Sequence, residues 1–317
     1  MPADLLASDP FTRRRTLPPD ARWETLAIDD WPVRTARWPA TGAASGSILF
    51  VGGRADFIEK YGEAYWAWRD EGFGVATFDW RGQGRSGRLG RDAHAGHGDF
   101  ERWTDDLDAI AAWFVATMPA PHVIVAHSMG GHLTLRHLAR GRSPFGRAVL
   151  LAPMLGIHLA ATAPRLVRGL ADAATRVGLG RRYAPLQHGY GAWQQRPERQ
   201  ALLTGSTERF ADEHGWIAGD PALALGGTTF GWLSSAFASI DTLFAPGVLE
   251  SIATPLLILA GEHEKLVDVA AIRAAVARLP NASLQIIADG RHELLRDLDA
   301  VRADTHQRIL SFLKAGA

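Results

Sequence analysis

Short apolar runs rich in β-branched residues recur along the chain, and segments with helical periodicity separate them. Both faces of each run are apolar, as expected for strands of a parallel sheet that helices cover on both sides. An earlier segment, residues 23–38, is interrupted by Asp29-Asp30 and predicts an opening antiparallel hairpin. The predicted inner strands are residues 48–51, 75–78, 123–126, 148–151, 256–259 and 284–287.

The segments between these runs predict helices. In residues 101–118, large apolar side chains recur on one face of a helix, while Asp105, Asp106 and Asp108 are expected to point away from it. Residues 269–279 and 297–313 also have a helical pattern. Because strands and helices alternate, we predict an α/β fold with a mainly parallel, doubly wound sheet.

The alternation stops between about residues 154 and 249, where the chain is helical and irregular and contains Gly, Pro and several aromatic residues. This stretch lies between two predicted strands, so we interpret it as a helical cap inserted over one end of the sheet. The predicted organisation is therefore a core formed by residues 1–153 and 250–317, with a cap at residues 154–249.

Composition and charge narrow the classes of function. The 317-residue chain has 34 Lys and Arg residues against 34 Asp and Glu residues, so no global field attracts nucleic acid. It has no cysteine, which excludes disulfides, thiolate metal sites and a cysteine nucleophile. Residues 1–20 lack the apolar centre of a signal peptide, and the longest apolar stretch, 148–163, is too short to span a bilayer. We therefore expect a soluble, cytoplasmic protein.

The most informative motif follows the third inner strand. There the sequence has the pattern small-x-Ser-x-Gly, with Ala126, Ser128 and Gly130 at the fixed positions, and continues into a predicted helix. A sharp turn of this kind strains the serine backbone and exposes its hydroxyl at the carboxyl end of the sheet. Ala126 stands where glycine is usual, but it is still small. We therefore predict that Ser128 is a nucleophile.

A serine hydroxyl is a weak nucleophile until a base accepts its proton. Among the 12 histidines, His292 comes directly after the last predicted strand, in a Gly-x-His loop that can reach back to Ser128. His94 and His97 lie in a glycine-rich loop, where a structural or solvated role is expected. We predict that His292 is the general base.

The third member of such a triad is a carboxylate that holds the imidazole in one tautomer and stabilises its charged form. In the chain order serine, acid, histidine, it is expected after the penultimate strand. The loop there contains Glu264 and, four residues later, Asp268. Glu264 stands where the acid is normally found and is favoured; Asp268 is the alternative if the loop coils.

Acyl transfer builds negative charge on the substrate carbonyl oxygen, which preorganised backbone N–H groups stabilise. Met129, directly after the nucleophile, should provide one donor, and the N–H of Arg54 in the loop after the first inner strand is the second candidate. The side chain of Arg54 is expected to pair with Asp56 or Glu59. Contact with an anionic group of the substrate is the alternative.

These motifs resemble those of the α/β-hydrolase superfamily, and most of all its serine aminopeptidase/monoacylglycerol lipase branch. In the cap, residues 202–210 and 221–232 are similar to bacterial lysophospholipase L2-like proteins, which also resemble this chain in having a glutamate-rich acid loop. Glu264 thus departs from the usual aspartate of the superfamily but agrees with this subgroup. The resemblance covers nearly all of the chain after about residue 22 and rests on residues 53–54, 79–87, 126–131, 261–268 and 290–293.

The resemblance implies hydrolysis of a carboxylic ester with one long acyl chain, on a lysophospholipid or monoacylglycerol, through an acyl-enzyme. Aromatic residues of the cap agree with an apolar chain, and Trp193, Phe230 and Trp232 are expected to contact it. No metal, no organic cofactor and no nucleic-acid partner is expected. Transient contact of the cap with the surface of the inner membrane is left open.

Other functions also stay open. A peptide, a lactone or a short ester is an alternative substrate, because the fold alone does not determine it. An epoxide or haloalkane hydrolase would have an aspartate in place of Ser128. The intact set of serine, histidine and acid disfavours a non-catalytic binding protein on a hydrolase scaffold.

Overall fold

The computed structural model describes residues 9–90, 98–141, 143–158 and 164–315. The expectations for His94 and His97 lie outside these residues, as does part of the apolar stretch 148–163. Within the described ranges, no helix is long and apolar enough to cross a membrane.

Eight strands form one sheet in the order β1-β2-β4-β3-β5-β6-β7-β8. Their bounds are β1 (Arg22–Ile28), β2 (Trp31–Trp38), β3 (Gly46–Val51), β4 (Phe73–Phe78), β5 (His122–His127), β6 (Arg147–Leu151), β7 (Leu256–Gly261) and β8 (Ala282–Ile287). The pairs β1–β2 and β2–β4 are antiparallel, and the others are parallel. The carboxyl ends of β3, β5, β7 and β8 therefore meet at one edge of the sheet.

The first two strands form the predicted hairpin. Asp29 and Asp30 connect them, with φ angles of 47° and 60°. Both angles lie in the left-handed region that a two-residue type I′ turn requires, and aspartate tolerates this region better than most residues. Ile28 pairs with Trp31 directly across the turn.

Helices cover both faces of the sheet and one of its edges. Those of the described residues are α1 (Pro10–Arg15), α2 (Gly62–Asp70), α3 (Phe100–Thr117), α4 (Met129–Ala139), α5 (Pro164–Ala174), α6 (Pro197–Leu203), α7 (Thr207–Gly219), α8 (Phe230–Phe244), α9 (Val269–Val276) and α10 (Asp299–Lys314). The helices predicted at 101–118, 269–279 and 297–313 correspond to α3, α9 and α10, with ends that differ by at most three residues. The prediction that Asp106 points away from the apolar face of α3 is wrong: it is buried, because Arg81 pairs with it at 2.6 Å.

Alternate residues of the inner strands contribute to two apolar layers. On one face, Leu49 and Ile124 pack with α3, α4 and α9; on the other, Phe50 and Val125 pack with α2 and α10. Because nearly every side chain of these strands is buried on one face or the other, the sequence of each strand is a continuous apolar run.

The helices α5 to α8 lie between β6 and β7. The longest of them, α8, packs on the core: the hydroxyl of Ser239 lies 2.7 Å from His132 Nε2 and accepts from Arg136 at 2.8 Å. Trp232 packs edge-on against Phe100 of α3, with 5.5 Å between ring centroids. These contacts hold the inserted helices at the end of the sheet where β6 finishes.

Candidate active site

Ser128 occupies the turn between β5 and α4. Its φ of 52° and ψ of −117° are unfavourable for a residue with a side chain, at a cost of about 1–3 kcal/mol. Neighbouring backbone holds this conformation: the N–H of Ser128 donates to the carbonyl of Leu151 at 2.9 Å, and its carbonyl accepts from the N–H of Met154 at 3.0 Å. The turn presents the serine hydroxyl at the carboxyl edge of the sheet.

Glycines allow the loop after β3 to approach this turn. A Cβ on Gly130 would lie 2.4 Å from the carbonyl oxygen of Gly52, and a Cβ on Gly53 would lie 3.0 Å from the Cβ of Ser128. Larger residues at these positions would push the loop away from the serine. The small residues of the motif are therefore required by packing as well as by the turn.

Side chains from three loops form a hydrogen-bonded series. His292 Nε2 lies 3.0 Å from Ser128 Oγ, and His292 Nδ1 lies 2.8 Å from Glu264 Oε2. The other carboxylate oxygen of Glu264 accepts the N–H groups of Leu266 and Val267 at 2.6 and 3.1 Å. Glu264 is thus held by backbone donors, it orients the imidazole, and the imidazole faces the serine hydroxyl, as a base and its nucleophile require.

The surrounding charges favour a protonated His292. Burial opposes the imidazolium, but the carboxylates of Glu264, Glu293 and Asp56 outweigh burial and raise the pKa of His292 above its usual value. Burial also acts against the charged form of Glu264, but the imidazole and the two backbone donors prevail and lower the pKa of this carboxyl. An imidazolium formed by proton transfer from Ser128 is therefore stabilised.

Asp268, the alternative acid, lies elsewhere. Its carboxylate accepts the N–H of Ala270 at 2.8 Å and caps the N-terminus of α9. Its own N–H donates to the carbonyl of Gly156 at 3.0 Å. Because Asp268 is the N-cap residue of α9, its side chain points toward that helix. The structure therefore brings Glu264, and not Asp268, to His292.

Met129 follows Ser128 and is the first residue of α4. The first N–H groups of a helix have no acceptor within it, and the helix dipole adds partial positive charge at the same end. The N–H of Met129 therefore lies where it could stabilise an oxyanion beside the serine, and this role stays a prediction.

Arg54 follows Gly53 in the loop that abuts Ser128. The N–H groups of its two neighbours are hydrogen-bonded. That of Gly53 donates to Asp56 Oδ2 at 2.6 Å, and that of Ala55 donates to Gln83 Oε1 at 2.7 Å. The N–H of Arg54 has no such partner among the described residues. The loop is thus held on both sides of an N–H group that stays available for an oxyanion.

The expected ion pair of Arg54 with Asp56 or Glu59 is wrong. Asp56 pairs with Lys60 at 2.8 Å, and Glu59 pairs with Arg34 at 2.8 Å. Both carboxylates are engaged by other cations, and the guanidinium of Arg54 lines a pocket in front of the serine instead.

This pocket has a volume of about 650 Å³ and is lined by Ser128 and His292. Its walls are mostly apolar and come from the core and from the inserted helices. Three side chains of α5 line the pocket, although no role is predicted for them from the sequence. Their spacing is typical of one face of a helix, which could have indicated them. The apolar lining includes Met154, Leu166, Val167, Leu170, Leu233 and Val267.

Two of the three aromatic residues expected at the substrate are in this pocket. Phe230 and Trp232, at the start of α8, line it. The expectation for Trp193 is wrong: this residue is 45% exposed and lies outside the pocket lining, and the guanidinium of Arg196 lies over its ring at 5.9 Å from the centroid. Trp193 belongs to a single turn of 3-10 helix that buries Gln194 and leaves Trp193 exposed.

Five buried charged residues behind His292 form a cluster that we name the paired network. Lys60 contacts Asp56, Glu213 and Glu293 at 2.8, 3.0 and 2.7 Å. Arg296 contacts Glu213 at 3.0 Å and Glu293 at 2.6 Å. The network joins the loop after β3, the inserted helix α7 and the segment after His292. The network could not be recognised from the sequence, because its members do not form a local motif.

His127 connects the paired network with the histidine of the site. Its Nδ1 lies 2.9 Å from Asp56 Oδ2, and its Nε2 lies 3.2 Å from the carbonyl of His292. Tyr61 also donates to Asp56 Oδ2 at 3.0 Å. The backbone of the loop that carries His292 is therefore held by a hydrogen bond to His127, a side chain of the core.

One group of possible metal ligands occurs among the described residues, and it lies outside the pocket. Glu262, His263 and Asp289 are exposed, and their ligand atoms lie within 4.8 Å of one another. Exposed acidic groups often occur together without a metal, and these residues do not line the pocket of Ser128.

The family described as serine aminopeptidase, S33, matches residues 42–299. The chain belongs to this family. Lysophospholipase L2 of Escherichia coli K12 is 32% identical over 302 residues, which cover 91% of this chain and 86% of the relative. Probable lysophospholipase L2 of Haemophilus influenzae is 32% identical over 268 residues, which cover 84% of this chain and 83% of the relative.

Solved structures of the same fold include a soluble variant of monoglyceride lipase from Saccharomyces cerevisiae. It superposes with a TM-score of 0.76 at 17% identity and covers 96% of this chain and 98% of the lipase. The monoacylglycerol lipase of Paleococcus ferrophilus has a TM-score of 0.70 at 20% identity, covering 90% and 99%. The predicted α/β-hydrolase fold and the resemblance to the S33 family and its lysophospholipase L2-like members are confirmed, and the chain is a hydrolase.

Proposed function

We propose that this protein is a serine hydrolase that removes the single acyl chain of lysophospholipids, with monoacylglycerols as related substrates. The observation that carries the proposal is the series of hydrogen bonds Glu264–His292–Ser128 beside a mostly apolar pocket. The names of its relatives agree with this class of substrate, since they are lysophospholipases.

In the mechanism we propose, His292 accepts the proton of Ser128 while the serine oxygen attacks the ester carbonyl. The N–H groups of Met129 and Arg54 stabilise the oxyanion. His292 then donates its proton to the leaving glycerol oxygen, and an acyl-enzyme remains. Water then gives a proton to His292 and attacks the acyl carbon. The bond from this carbon to Ser128 Oγ breaks, the fatty acid leaves, and His292 returns the proton to Ser128 Oγ. Glu264 stabilises the imidazolium in both halves of the reaction.

The apolar pocket supports a preference for long acyl chains. Each methylene that it removes from water contributes about 0.8 kcal/mol, which corresponds to roughly a fourfold gain in kcat/KM if the chain is bound in the transition state. We expect kcat/KM to rise with chain length until the pocket is filled.

Residues 154–249 act as a cap in this proposal, and the cap contacts the lipid surface from which the substrate comes. Leu166, Leu170 and Leu186 line the pocket and are exposed, so they can enter a lipid surface. In the cytoplasmic location that the sequence predicts, this surface is the inner membrane. Replacing the three leucines by serine should reduce co-sedimentation with phosphatidylcholine vesicles, and unchanged binding would count against the contact.

The proposed function is tested with p-nitrophenyl esters from acetate to palmitate, followed by lysophosphatidylcholine and monoacylglycerol. We expect the highest kcat/KM at medium or long chains and a loss of at least about 10³-fold in Ser128→Ala. The thermal unfolding of the variant should match that of the wild type.

Two outcomes would contradict the proposal. Activity confined to short chains would favour a short ester, a lactone or a peptide as substrate. No turnover, together with no labelling of Ser128 by a fluorophosphonate probe, would contradict a serine hydrolase altogether.

A further inference from the structure

Two arginines line the pocket without a carboxylate partner among the described residues. Arg54 comes from the loop after β3 and Arg199 from α6, so they reach the pocket from the core and from the inserted helices. The arginines that are buried in the described part of the fold are paired with carboxylates, for example Arg81 with Asp106 at 2.6 Å and Arg296 with Glu293 at 2.6 Å. The pocket therefore contains two cationic groups whose charge the described part of the protein does not neutralise directly.

The guanidinium of Arg54 is held in place but not saturated. One of its Nη groups donates to the carbonyl of Gly226, and the group lies 5.6 Å from the ring centroid of Trp232. Its Nε is buried and has no acceptor among the described residues. A buried donor without an acceptor is rare in folded proteins and costs stability. These contacts orient Arg54 without neutralising it.

Arg54 and Arg199 also act on each other. Burial, followed by the charge of Arg199, lowers the pKa of Arg54 to about 9, so Arg54 still carries its charge at neutral pH. Like charges near one another in a mostly apolar pocket are unfavourable. An anion between them would reduce the repulsion and supply the acceptor that Arg54 Nε lacks.

We propose that Arg54 and Arg199 form an anion subsite that holds the phosphate of a lysophospholipid during hydrolysis of its acyl ester. The inference rests on the proposed function and specifies it: the phosphate-bearing lipid becomes the preferred substrate over the neutral monoacylglycerol. Guanidinium groups suit this ligand because their N–H groups match the spacing of phosphate oxygens.

The position of the subsite agrees with the chemistry of such a substrate. The backbone N–H of Arg54 faces the ester carbonyl in the proposed mechanism, and its side chain lines the same pocket. In a lysophospholipid, the glycerol backbone joins the ester to the phosphate, so one residue is placed to contact both groups. Arg199 approaches the phosphate from the inserted helices.

The test compares kcat/KM for lysophosphatidylcholine and for a monoacylglycerol with the same acyl chain, in the same mixed micelles. In Arg199→Gln, we expect the ratio of the two values to fall about 10–100-fold, the range for a lost charge-assisted hydrogen bond. Arg196→Gln is the matched control, because Arg196 is nearby but exposed and outside the pocket lining. It should leave both values unchanged.

A second assay separates a head-group site from a general phosphate site. Glycerophosphocholine and inorganic phosphate are compared as inhibitors of p-nitrophenyl ester hydrolysis by the wild type and by Arg199→Gln. The proposal expects stronger inhibition by glycerophosphocholine, weakened in the variant. Equal inhibition by inorganic phosphate would assign the site to free phosphate and overturn the lipid head group as its ligand.

The failures of the two proposals can be told apart. If the wild type hydrolyses neither lipid, the proposed function fails, and the inhibition assay still decides whether the arginines bind phosphate. If the wild type hydrolyses lysophosphatidylcholine but Arg199→Gln leaves the ratio unchanged, or lowers both values equally, the anion subsite is overturned and the proposed function stands.

Discussion

Two groups of charged residues flank His292, and they differ in how their charges are satisfied. In the paired network, Lys60 and Arg296 contact Asp56, Glu213 and Glu293 at 2.6–3.0 Å. The pocket arginines, Arg54 and Arg199, have no carboxylate within reach in the described part of the chain. The ions of the paired network are thus satisfied within the protein, whereas the anion subsite proposed above would be satisfied only by a bound ligand.

In the paired network, ion pairing keeps buried side chains charged. Burial favours a neutral Glu293, but Lys60 and Arg296 prevail and lower the pKa of Glu293 to about 2. Burial also disfavours the charge of Lys60, yet Asp56, Glu213 and Glu293 keep its pKa above the usual value. Each buried side chain of the network thus stays charged because its partners carry the opposite charge. The removal of one member leaves buried charges that are no longer neutralised.

The largest effect is expected from Lys60→Met. This change leaves three buried carboxylates with Arg296 as the remaining cation of the network, and we expect it to lower the free energy of unfolding by about 3–5 kcal/mol. The midpoint of urea unfolding measures this loss. The slope m should be the same for the wild type and for Lys60→Met, which checks that both proteins unfold in the same way.

The matched control is Lys314→Met, which breaks the exposed pair with Glu71 at 2.7 Å and should cost no more than about 1 kcal/mol. Equal losses in the two variants would show that the paired network contributes no more than a surface ion pair, and the comparison would fail.

The local parts of this architecture could be predicted from the sequence. The inner strands are recognisable because burial on both faces requires apolar runs. Ser128 is recognisable because strand, turn and helix follow one another directly. His292 and Glu264 were predicted from their order after the last two strands, and the structure places both in hydrogen-bond contact within one site.

The non-local parts could not be predicted, for physical reasons. Lys60 meets Glu213 and Glu293 only after the sheet and the inserted helices have packed. The partner of Arg54 was misassigned for the same reason, since Asp56 is taken by Lys60. Trp193 was misassigned because composition indicates an apolar insertion but does not indicate which of its rings face the pocket.

A smaller effect links the paired network to catalysis through pH. Hydrolysis needs a neutral His292, so kcat/KM should rise with pH through the raised pKa of this histidine. Glu293→Gln removes a negative charge that favours the imidazolium. The pKa should fall, and the acid limb of the profile should move to lower pH.

The control for this shift is Glu250→Gln, which alters an exposed pair with Arg278 away from the pocket and should leave the acid limb in place. Glu264→Gln should move the limb further than Glu293→Gln, because Glu264 has the larger influence on His292, and it should also lower kcat. A limb that stays in place, or moves to higher pH, in Glu293→Gln would contradict the link.

The smallest effect is expected where the charges are unsatisfied. Arg199→Gln removes a cation that has no ion pair within the described residues and that repels Arg54, so the free energy of unfolding should change by no more than about 0.5 kcal/mol, in the direction of greater stability. A loss above about 1 kcal/mol would mean that Arg199 supports the fold.

Glycerophosphocholine should increase the difference in stability between the wild type and Arg199→Gln. A ligand that binds only the folded protein raises its stability, so glycerophosphocholine should stabilise the wild type and have little effect on Arg199→Gln. The same addition should leave the difference between wild type and Lys314→Met unchanged, because that variant keeps both pocket arginines.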